Sequence, residues 1–516
     1  MMHPVRMLWR LLGIARILAR NDAGQALVEM GLSGSPLFVL RLLSRRNAPG
    51  RPGQRLARAL TELGPSFIKL GQTMSTRADL LGDELANDLS LLQDHVGPFS
   101  GSEARAVIER ELEAPVAQLF ERFEDKPISA ASMAQVHFAV TREADGTAGR
   151  EVAVKILRPG IENAIERDLE LFAWVAFMAE RTQPRLRRLK PREIVQLFAE
   201  QVRLEMDLRI EAAGMSEINE NFTDDPTYNL PRVDWRRTSR RVLTMTRISG
   251  IAMDDREALI AAGHNIEEIL RKAAAIFFNQ VFRDGTFHGD QHPGNMGVDA
   301  GGNIFAVDFG ILGRLDQQTR FFLADMMIAT MQGDYRRLAE VQVEAGYLPP
   351  GRSLDIYAQA LRSVCEPIVG RPLNEISFAK LLAQLFQLTE SFQMQVQPQL
   401  LLLQKNMMMA EGTSRSLAPE LNIWTLSQPL IEQWIRQHRG PGARLAKASQ
   451  DLNRAIARVP QFLTDIEIIA SDLRSRGVKL SAGTLERLER ASGRGTARLS
   501  LLVAVVALVV ALIALL

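Results

Sequence analysis

The amino-acid sequence predicts an α+β fold of two lobes, preceded by a helical N-terminal extension and followed by a C-terminal transmembrane helix. Apolar residues recur every three or four positions over residues 21–125 and again over 161–221, which is the spacing of helices. Between them, residues 128–157 contain short apolar runs typical of strands. A third observation is the uncharged apolar run at 499–516. With 516 residues, 46% of them hydrophobic and 24% charged, the chain has the composition of a folded protein of two or three domains.

The N-terminal extension is assigned to residues 1–125. Its first helix is amphipathic, because leucines and isoleucines lie opposite an arc of about 120° that holds Arg6, Arg10, Arg16 and Arg20. Two interpretations stay open: this helix lies on an anionic membrane surface, or it packs on the folded domain. A break in the helical pattern is predicted at Leu63-Gly64-Pro65.

The small lobe is assigned to residues 126–250. Its hairpin is predicted by three segments, namely the strand 135–140, a polar turn around Asp145-Gly146 and the strand 151–157. Helical spacing follows over 161–221, and a further strand is predicted at 241–246. The large lobe is assigned to residues 251–440. It is predicted to be helical apart from two short strands that flank the segment 295–307.

The C-terminal part is divided into a polar juxtamembrane stalk, 441–497, and a transmembrane tail, 498–516. The eighteen residues 499–516, apolar except for Ser500, span about 27 Å at about 1.5 Å each, which matches a hydrocarbon core. The positive-inside rule places the globular part in the cytoplasm of a bacterial-type inner membrane, because the tail follows Arg490, Arg494 and Arg498. A stripe of alanines in the tail faces lipid or packs on a second copy in a homodimer, and both alternatives stay open for Ala504, Ala507, Ala511 and Ala514.

Overall charge and cysteine content exclude several classes of protein. The net charge is only +2, so nothing global points to nucleic acid as a partner. The single cysteine, Cys365, excludes an internal disulfide framework and a zinc site of several cysteines. Its expected role is that of a small buried apolar side chain.

Four residues in order along the chain predict a site for phosphoryl transfer with ATP and Mg²⁺. Lys155 ends the run Val-Ala-Val-Lys. This run resembles the strand of kinases whose lysine contacts the α- and β-phosphates. Asp290 is followed five residues later by Asn295, the offset of the catalytic-loop pair of kinases, and Asp308 begins an Asp-Phe-Gly triplet. We therefore expect Asn295 and Asp308 to share Mg²⁺ while Asp290 faces the γ-phosphate.

Two histidines flank Asp290. His288 and His292 are four residues apart, but the glycines and proline between and after them disfavour the helix that a zinc-binding pair would need. We expect them to orient the catalytic loop instead.

Two further motifs make the chain resemble the UbiB (AarF-type) family of atypical kinase-like proteins. They are Phe67-Ile68-Lys69-Leu70-Gly71-Gln72 and Ala130-Ala131-Ser132-Met133-Ala134-Gln135-Val136-His137. The resemblance implies a protein-kinase-like fold in which Lys69 and Gln72 fold over the active site. It also implies that the alanine-rich loop replaces the glycine-rich loop of kinases. Nucleotide binding is accordingly expected at Ala130, Ala131, Ser132, Met133, Ala134 and Gln135, with Met245 completing the set.

The same resemblance assigns roles to three acidic residues. Glu205 and Asp207 look like the family's Glu-x-Asp motif, and Glu211 looks like the glutamate that pairs with the strand lysine. Glu205 and Glu211 could exchange these roles on sequence alone. Alanine side chains also narrow the backbone conformations of the loop compared with glycine, so phosphates would be held differently.

The family resemblance implies an ATPase-like activity that supports ubiquinone biosynthesis at a membrane. The expected partners are membrane lipids, prenylated quinone precursors and other enzymes of quinone biosynthesis. Two alternatives from other classes are kept: a true kinase that phosphorylates a small molecule or a protein, and a scaffold that uses nucleotide only as a switch. No dinucleotide-binding fingerprint or iron-ligand set is present to support a hydroxylase.

Overall fold

The computed structural model describes residues 4–29, 48–75, 81–90, 97–143, 148–182, 191–348, 353–367 and 397–421, with isolated positions at 92 and between 381 and 434. The chain divides into two units, Met1–Ile431 and Glu432–Leu516, and every element named below belongs to the first. The predicted stalk and the predicted transmembrane tail lie outside the described residues. Within the described ranges, every helix is too short or too polar to cross a bilayer.

The α-helices of these ranges follow one another through both lobes. In chain order they are α1 Pro4–Arg20, α2 Gly24–Glu29, α3 Pro52–Leu63, α4 Pro65–Ser75, α5 Asp83–Ser90, α6 Gly101–Leu112, α7 Val116–Leu119, α8 Ile161–Thr182, α9 Pro191–Glu205, α10 Leu208–Asn221, α11 Arg256–Ala261, α12 Ile266–Phe278, α13 Gln317–Met331, α14 Tyr335–Glu344, α15 Leu354–Cys365 and α16 Pro398–Leu417. A π-helical turn, Asn279–Asp284, extends α12.

The strands are short outside one hairpin. In chain order they are β1 Phe120–Phe123, β2 Ser129–Ala130, β3 Ala134–Arg142, β4 Ala148–Leu157, β5 Tyr228–Asn229, β6 Val242–Thr246, β7 Ile251–Ala252, β8 Thr286–His288, β9 Met296–Val298, β10 Ile304–Ala306 and β11 Leu312–Arg314. Among the described residues they form a five-stranded sheet, a four-stranded sheet and the pair β8-β11.

The five-stranded sheet of the small lobe is antiparallel, in the order β1-β3-β4-β6 with β2 paired to β3. Burial alternates along β3, as expected for a strand with one face on the core, and the predicted hairpin of β3 and β4 is confirmed. The register places Lys155 between Val136 of β3 and Leu243 of β6, near the middle of the sheet. The turn of the hairpin, 144–147, lies outside the described residues.

One part of the predicted helical extension belongs to this sheet instead. β1 pairs with β3, and α6 packs on the same sheet through Ile108. Phe120 and Phe123 are both buried although they are three residues apart, because the register shifts between Phe120 and Arg122. Their spacing imitates a helix, so the helical prediction is wrong for β1.

The break predicted in the extension is confirmed. Helix α3 ends at Leu63 and α4 begins at Pro65, and the residue between them, Gly64, has a φ of +108° that side chains other than glycine rarely adopt. Proline at the first position of α4 fits because that residue's N–H would have no partner within the helix.

The first helix packs on the domain, which was one of its two predicted interpretations. Ile14, Ile17 and Leu18 contact the main core, and Arg10 donates to Asp168 of α8 with Nη2 3.0 Å from Oδ1. The opposite side of α1 is exposed to solvent, and Trp9 on that side is 71% exposed.

The large lobe is mainly helical and contains more strands than predicted. Strands β9 and β10 lie inside the segment 295–307 rather than on either side of it, and β7, β8 and β11 lie outside it. Each spans only two or three residues, which is too short for a sequence period to appear. Strand β5 comes from the range assigned to the small lobe, yet it pairs with β10 in the sheet of the large lobe.

Candidate active site

Lys155 is the centre of a cluster of charges between β4, α10 and the segment after β10. Its Nζ donates to Glu211 Oε1 at 2.8 Å and Oε2 at 2.9 Å, and to Asp308 Oδ1 at 3.1 Å. The side chains of Lys155 and Glu211 are 13% and 7% exposed. The predicted pairing of Glu211 with the strand lysine is therefore confirmed.

These three charges shift one another's pKa. Burial alone would lower the pKa of Lys155, but the charges of Asp308 and Glu211 outweigh burial and raise it. Burial raises the pKa of Glu211, while the charge of Lys155 opposes that change. The charge of Lys155 also lowers the pKa of Asp308 to about 2, against the effect of burial. At neutral pH Lys155 is therefore a cation and Asp308 an anion, as phosphate binding and metal binding respectively require.

Glu205 binds a different lysine. Its Oε2 lies 2.9 Å from Nζ of Lys69, and the two side chains are 13% and 17% exposed. The charge of Lys69 also contributes to the lowered pKa of Asp308, so the helix α4 that carries Lys69 reaches toward the cluster. Gln72 on the same helix donates to the backbone carbonyl of Leu92 at 3.4 Å.

Asp207 was predicted to act in catalysis with Glu205, and the structure gives it another function. Its carboxylate accepts from the backbone N–H of Arg209 at 3.1 Å, which caps the start of α10. The guanidinium of Arg209 donates to the same carboxylate, with Nη2 2.6 Å from Oδ2, and this bond lowers the pKa of Asp207. The carboxylate of Asp207 therefore caps the start of α10, and its catalytic role stays a prediction.

The alanine-rich loop is the tight connection between β2 and β3. The N–H of Ala131 donates to the carbonyl of Ala134 at 2.8 Å, and Ser132 and Met133 are buried. Arg158, which the sequence analysis did not identify, donates to the carbonyls of Ala131 at 3.1 Å and Gly97 at 3.0 Å. This arginine fixes the loop against the segment before α6. The sequence did contain a signal for this residue, because Arg158 follows shortly after the predicted phosphate-binding lysine.

Two predicted nucleotide contacts have other partners. The side-chain amide of Gln135 accepts from Phe99 N at 3.0 Å and donates to Phe99 O at 3.2 Å, so its side chain serves the fold. Gln135 also contacts His137, with Nε2 of both residues 2.7 Å apart. Met245 is 5% exposed and lies in the main core, and its role in nucleotide binding stays a prediction.

Asp290 lies directly after β8, in a loop held from several sides. Gln280 of the π-helical turn accepts from the N–H of His288 at 2.9 Å and from Gln291 Nε2 at 3.3 Å. Asn295 Nδ2 donates to the backbone carbonyl of Asp290 at 3.2 Å, which closes the loop. π-helical turns occur often at functional sites, and here the turn aims a buried glutamine at the loop.

His288 and His292 fix the backbone conformation of the loop that contains Asp290, as predicted. His288 is fully buried, and its Nδ1 accepts from the N–H of Asp290 at 3.0 Å, so the ring must be neutral at that nitrogen. Burial lowers the pKa of His288, against the opposing charges of Asp308 and Asp290. His292 Nδ1 accepts from the N–H of Gly294 at 3.1 Å and caps the next turn.

The hairpin of β9 and β10 brings Asn295 and Asp308 to one end of the sheet. Val307 N donates to Asn295 O at 2.8 Å, directly beside the register pair of Met296 and Ala306. Asn295 Nδ2 donates to Asp290, so the amide oxygen is the atom of this side chain that would bind a cation. One carboxylate and one amide oxygen suit Mg²⁺, which keeps water and phosphate oxygens as its other ligands. The donor set therefore fits the predicted metal.

Comparison with known proteins identifies the family. Residues 91–342 match the ABC1 atypical kinase-like domain, and residues 361–422 match the UbiB helical domain. A Marinobacter nauticus protein named "Probable protein kinase UbiB" is 42% identical over 451 residues, which are 86% of this chain and 82% of that protein. This chain belongs to the UbiB family. A Xanthomonas campestris pv. campestris protein of the same name is 40% identical over 431 residues, 82% of this chain and 77% of that protein.

The UbiB assignment fits the two lobes. The match to the kinase-like domain begins before α6 and β1, in agreement with their packing on the small-lobe sheet.

A solved Mycobacterium tuberculosis structure, titled as the complex of Rv3197 with erythromycin, is 24% identical with a TM-score of 0.47, over 72% of this chain and 93% of that chain.

The UbiB helical domain supplies two site residues that the sequence analysis missed. Lys405 of α16 places Nζ 2.9 Å from Asp290 Oδ1, and Asn406 Oδ1 accepts from Gln291 N at 3.1 Å. A signal was present, because Gln404-Lys405-Asn406 is the polar interruption of an otherwise apolar helical run. Nothing in the sequence showed which surface that interruption faces.

Proposed function

We propose that this UbiB family member binds ATP with Mg²⁺ and hydrolyses ATP at a membrane, in support of ubiquinone biosynthesis. The observation that carries the proposal is Lys155, a cation held between Glu211 and Asp308 in the arrangement expected of a phosphate-binding lysine. Asp290 and Asn295 complete the set of residues needed for phosphoryl transfer.

Each residue has one task in this reaction. Lys155 contacts the α- and β-phosphates, and Asp290 orients a water molecule. Asn295 and Asp308 would hold Mg²⁺, which would neutralise phosphate charge. The bond between the γ-phosphorus and its bridging oxygen breaks, and its electron pair stays on ADP. The water oxygen bonds to phosphorus and gives one proton to Asp290, which completes the formation of inorganic phosphate.

We expect water rather than a protein hydroxyl to be the acceptor, because helix α4 carries Lys69 near Asp308, where it would compete with a peptide substrate for space. The ion pair of Lys69 with Glu205 is mostly buried, and the charge of Lys69 contributes to the lowered pKa of Asp308. The clamped alanine-rich loop further limits how phosphates approach the backbone.

Membrane association is supported by exposed apolar side chains and by the apolar tail of the sequence. Large apolar residues at least 39% exposed occur on α1, α8 and α9, namely Trp9, Leu12, Trp174, Val175, Phe177, Leu197 and Leu204. The chain between α8 and α9 adds three arginines and a lysine within 183–190. Aromatic and basic residues together suit an anionic lipid surface. We propose an inner-membrane protein with its globular part in the cytoplasm, acting on prenylated quinone precursors together with quinone-biosynthesis enzymes.

The first test is ATP hydrolysis by the full chain reconstituted in liposomes with and without anionic lipid, and with a phenolic mimic of a quinone precursor. We expect Mg²⁺-dependent turnover that anionic lipid increases, and Asp290→Asn should abolish it. Turnover equal in wild type and Asp290→Asn would refute the proposal.

The second test addresses the pathway. A deletion strain is complemented with wild type, with Asp290→Asn or with a truncation before 498, and its quinones are profiled. Normal quinone content in the uncomplemented deletion would refute the role in ubiquinone biosynthesis. Radiolabel that passes from γ-labelled ATP into a metabolite or protein would identify a kinase instead, and nucleotide binding without turnover would identify a switch.

A further inference from the structure

Lys405 reaches Asp290 from a separate part of the chain. The two residues are 115 positions apart, and Nζ lies 2.9 Å from Oδ1. Their side chains are 27% and 33% exposed, so both can still contact an incoming ligand. An ion pair this accessible contributes little to stability in general, because water already solvates both charges. Its position at the predicted reaction centre therefore calls for a functional explanation.

The helix that carries Lys405 is seated tightly on the catalytic loop. Leu402 packs against Gly289 so closely that a Cβ at that glycine would lie 2.9 Å from Leu402 Cδ2. One turn further along α16, the fully buried Asn406 accepts from the backbone N–H of Gln291 at 3.1 Å. Leu402, Lys405 and Asn406 share one helix face, and the residues on either side of Lys405 are fixed by the loop. The ammonium is thereby held in place before any nucleotide binds.

We propose that Lys405 is a catalytic residue that binds the γ-phosphate and stabilises the charge that develops on it during transfer. The inference rests on the proposed ATP hydrolysis. The water that Asp290 orients must lie about 3 to 3.5 Å from the γ-phosphorus, so a cation in contact with Asp290 also reaches the γ-phosphate oxygens. Lys155 contacts Glu211 and Asp308 and is assigned to the α- and β-phosphates, which leaves the γ-phosphate to a second cation.

The step requires no other reagent. Lys405 donates hydrogen bonds from its ammonium to the γ-phosphate oxygens and stays protonated throughout. The bond from γ-phosphorus to the bridging oxygen breaks toward ADP while the water oxygen bonds to phosphorus, and Asp290 receives the water proton. When ATP binds, Asp290 gives up part of its contact with Lys405 and contacts the water instead. Lys405 then contacts the γ-phosphate, so the water and the γ-phosphate lie between the two side chains.

The test compares Lys405→Met and Lys405→Arg with wild type in the full chain. Turnover of ATP is measured in liposomes, and affinities for Mg²⁺-ADP and for a nonhydrolysable Mg²⁺-ATP analogue are measured by calorimetry. We expect Lys405→Met to lower kcat about 100-fold or more. It should weaken binding of the ATP analogue about tenfold while leaving ADP binding unchanged. Lys405→Arg should retain most of the kcat and most of the affinity for the ATP analogue. Arg415→Met, which removes an exposed cation from the same helix, should match wild type.

Two results would overturn the inference. One is a Lys405→Met variant with wild-type kcat, and the other is an equal loss of affinity for ADP and the ATP analogue, which a general disturbance of the loop would cause. Thermal unfolding of each variant identifies such a disturbance. If wild type binds ATP without hydrolysing it, the proposed function fails, and the ratio of the two affinities still tests the contact with the γ-phosphate. If wild type binds no nucleotide, both proposals fail.

Discussion

Lys69 and Glu205 form a mostly buried ion pair, with Nζ 2.9 Å from Oε2, that joins the N-terminal extension to the end of helix α9. The pair separates the two glutamates that the sequence could not tell apart, because Glu211 binds Lys155. It also ties the extension to the kinase-like domain beside the nucleotide site.

Breaking this pair from one side should destabilise the protein. Glu205→Gln removes the carboxylate charge that faces Lys69 in a poorly solvated position, so we expect the free energy of unfolding to fall by about 1–3 kcal/mol. Denaturant titration measures it. Glu166→Gln is the matched control, since Glu166 and Arg203 form a pair whose side chains are 46% and 50% exposed. The control should cost less than about 1 kcal/mol. Equal effects in the two variants would contradict this interpretation.

Releasing the alanine-rich loop should weaken nucleotide binding. Arg158→Met removes the bonds to the carbonyls of Ala131 and Gly97, so the loop must be ordered by the nucleotide itself. We expect the KM for ATP to rise several-fold with a smaller change in kcat. Steady-state hydrolysis measures both. Arg167→Met serves as the control because Arg167 donates only within its own helix in the described contacts, to Asn163 O. A wild-type KM for Arg158→Met would show that the clamp is dispensable.

Acid pH should destabilise the catalytic loop through His288. Burial lowers the pKa of His288 from its usual 6.5, so below pH 6.5 the unfolded chain binds a proton that the folded chain does not. Stability is therefore greatest above pH 6.5 and falls as pH drops from 6.5 toward the folded pKa, by about 1.4 kcal/mol per pH unit for one such histidine.

Denaturant titrations between pH 7.5 and 5 test this expectation. His137 is also buried with a lowered pKa and contributes in the same direction. His288→Asn should make the pH dependence shallower without removing it. The explanation would fail if His288→Asn left the slope unchanged.

The close packing of α16 on the catalytic loop predicts opposite effects of one substitution at two glycines. Gly289→Ala would place a Cβ 2.6 Å from Ile311 Cγ2 and 2.9 Å from Leu402 Cδ2, so these side chains or the loop must shift. We expect ATP turnover to fall at least tenfold and stability to fall by about 1–3 kcal/mol. Gly412→Ala, on the exposed side of the same helix with no atom within 4 Å, should raise stability by about 0.5–1 kcal/mol. Thermal unfolding and hydrolysis assays distinguish these outcomes.

Local patterns were sufficient for the long elements and for the order of the catalytic residues. The hairpin of β3 and β4, the helices α8 to α10 and the break at Gly64 all follow from periods and breakers that act over a few residues. The offset between Asp290 and Asn295 was equally informative, because a loop of that length can close through a side-chain bond from Asn295 to the backbone of Asp290.

Elements shorter than one period were not predictable in the same way. Strand β1 imitates a helix because a register shift buries two phenylalanines three residues apart, and β7, β8 and β11 are stabilised by pairing with distant strands rather than by their own composition. The capping bond of Asp207 also depends on local backbone geometry, since its carboxylate accepts from a backbone N–H at the start of α10.

The sequence is therefore sufficient to predict the residue types of the site, their order and the family motifs, because these depend on spacing along the chain. Which charges meet was decided by the tertiary structure. Glu205 and Glu211 lie on either side of a helix boundary and so point at different lysines, and Lys405 meets Asp290 only because α16 packs on the catalytic loop. The free energy of such ion pairs depends on distance and burial, and both are set when separate elements of the chain pack together.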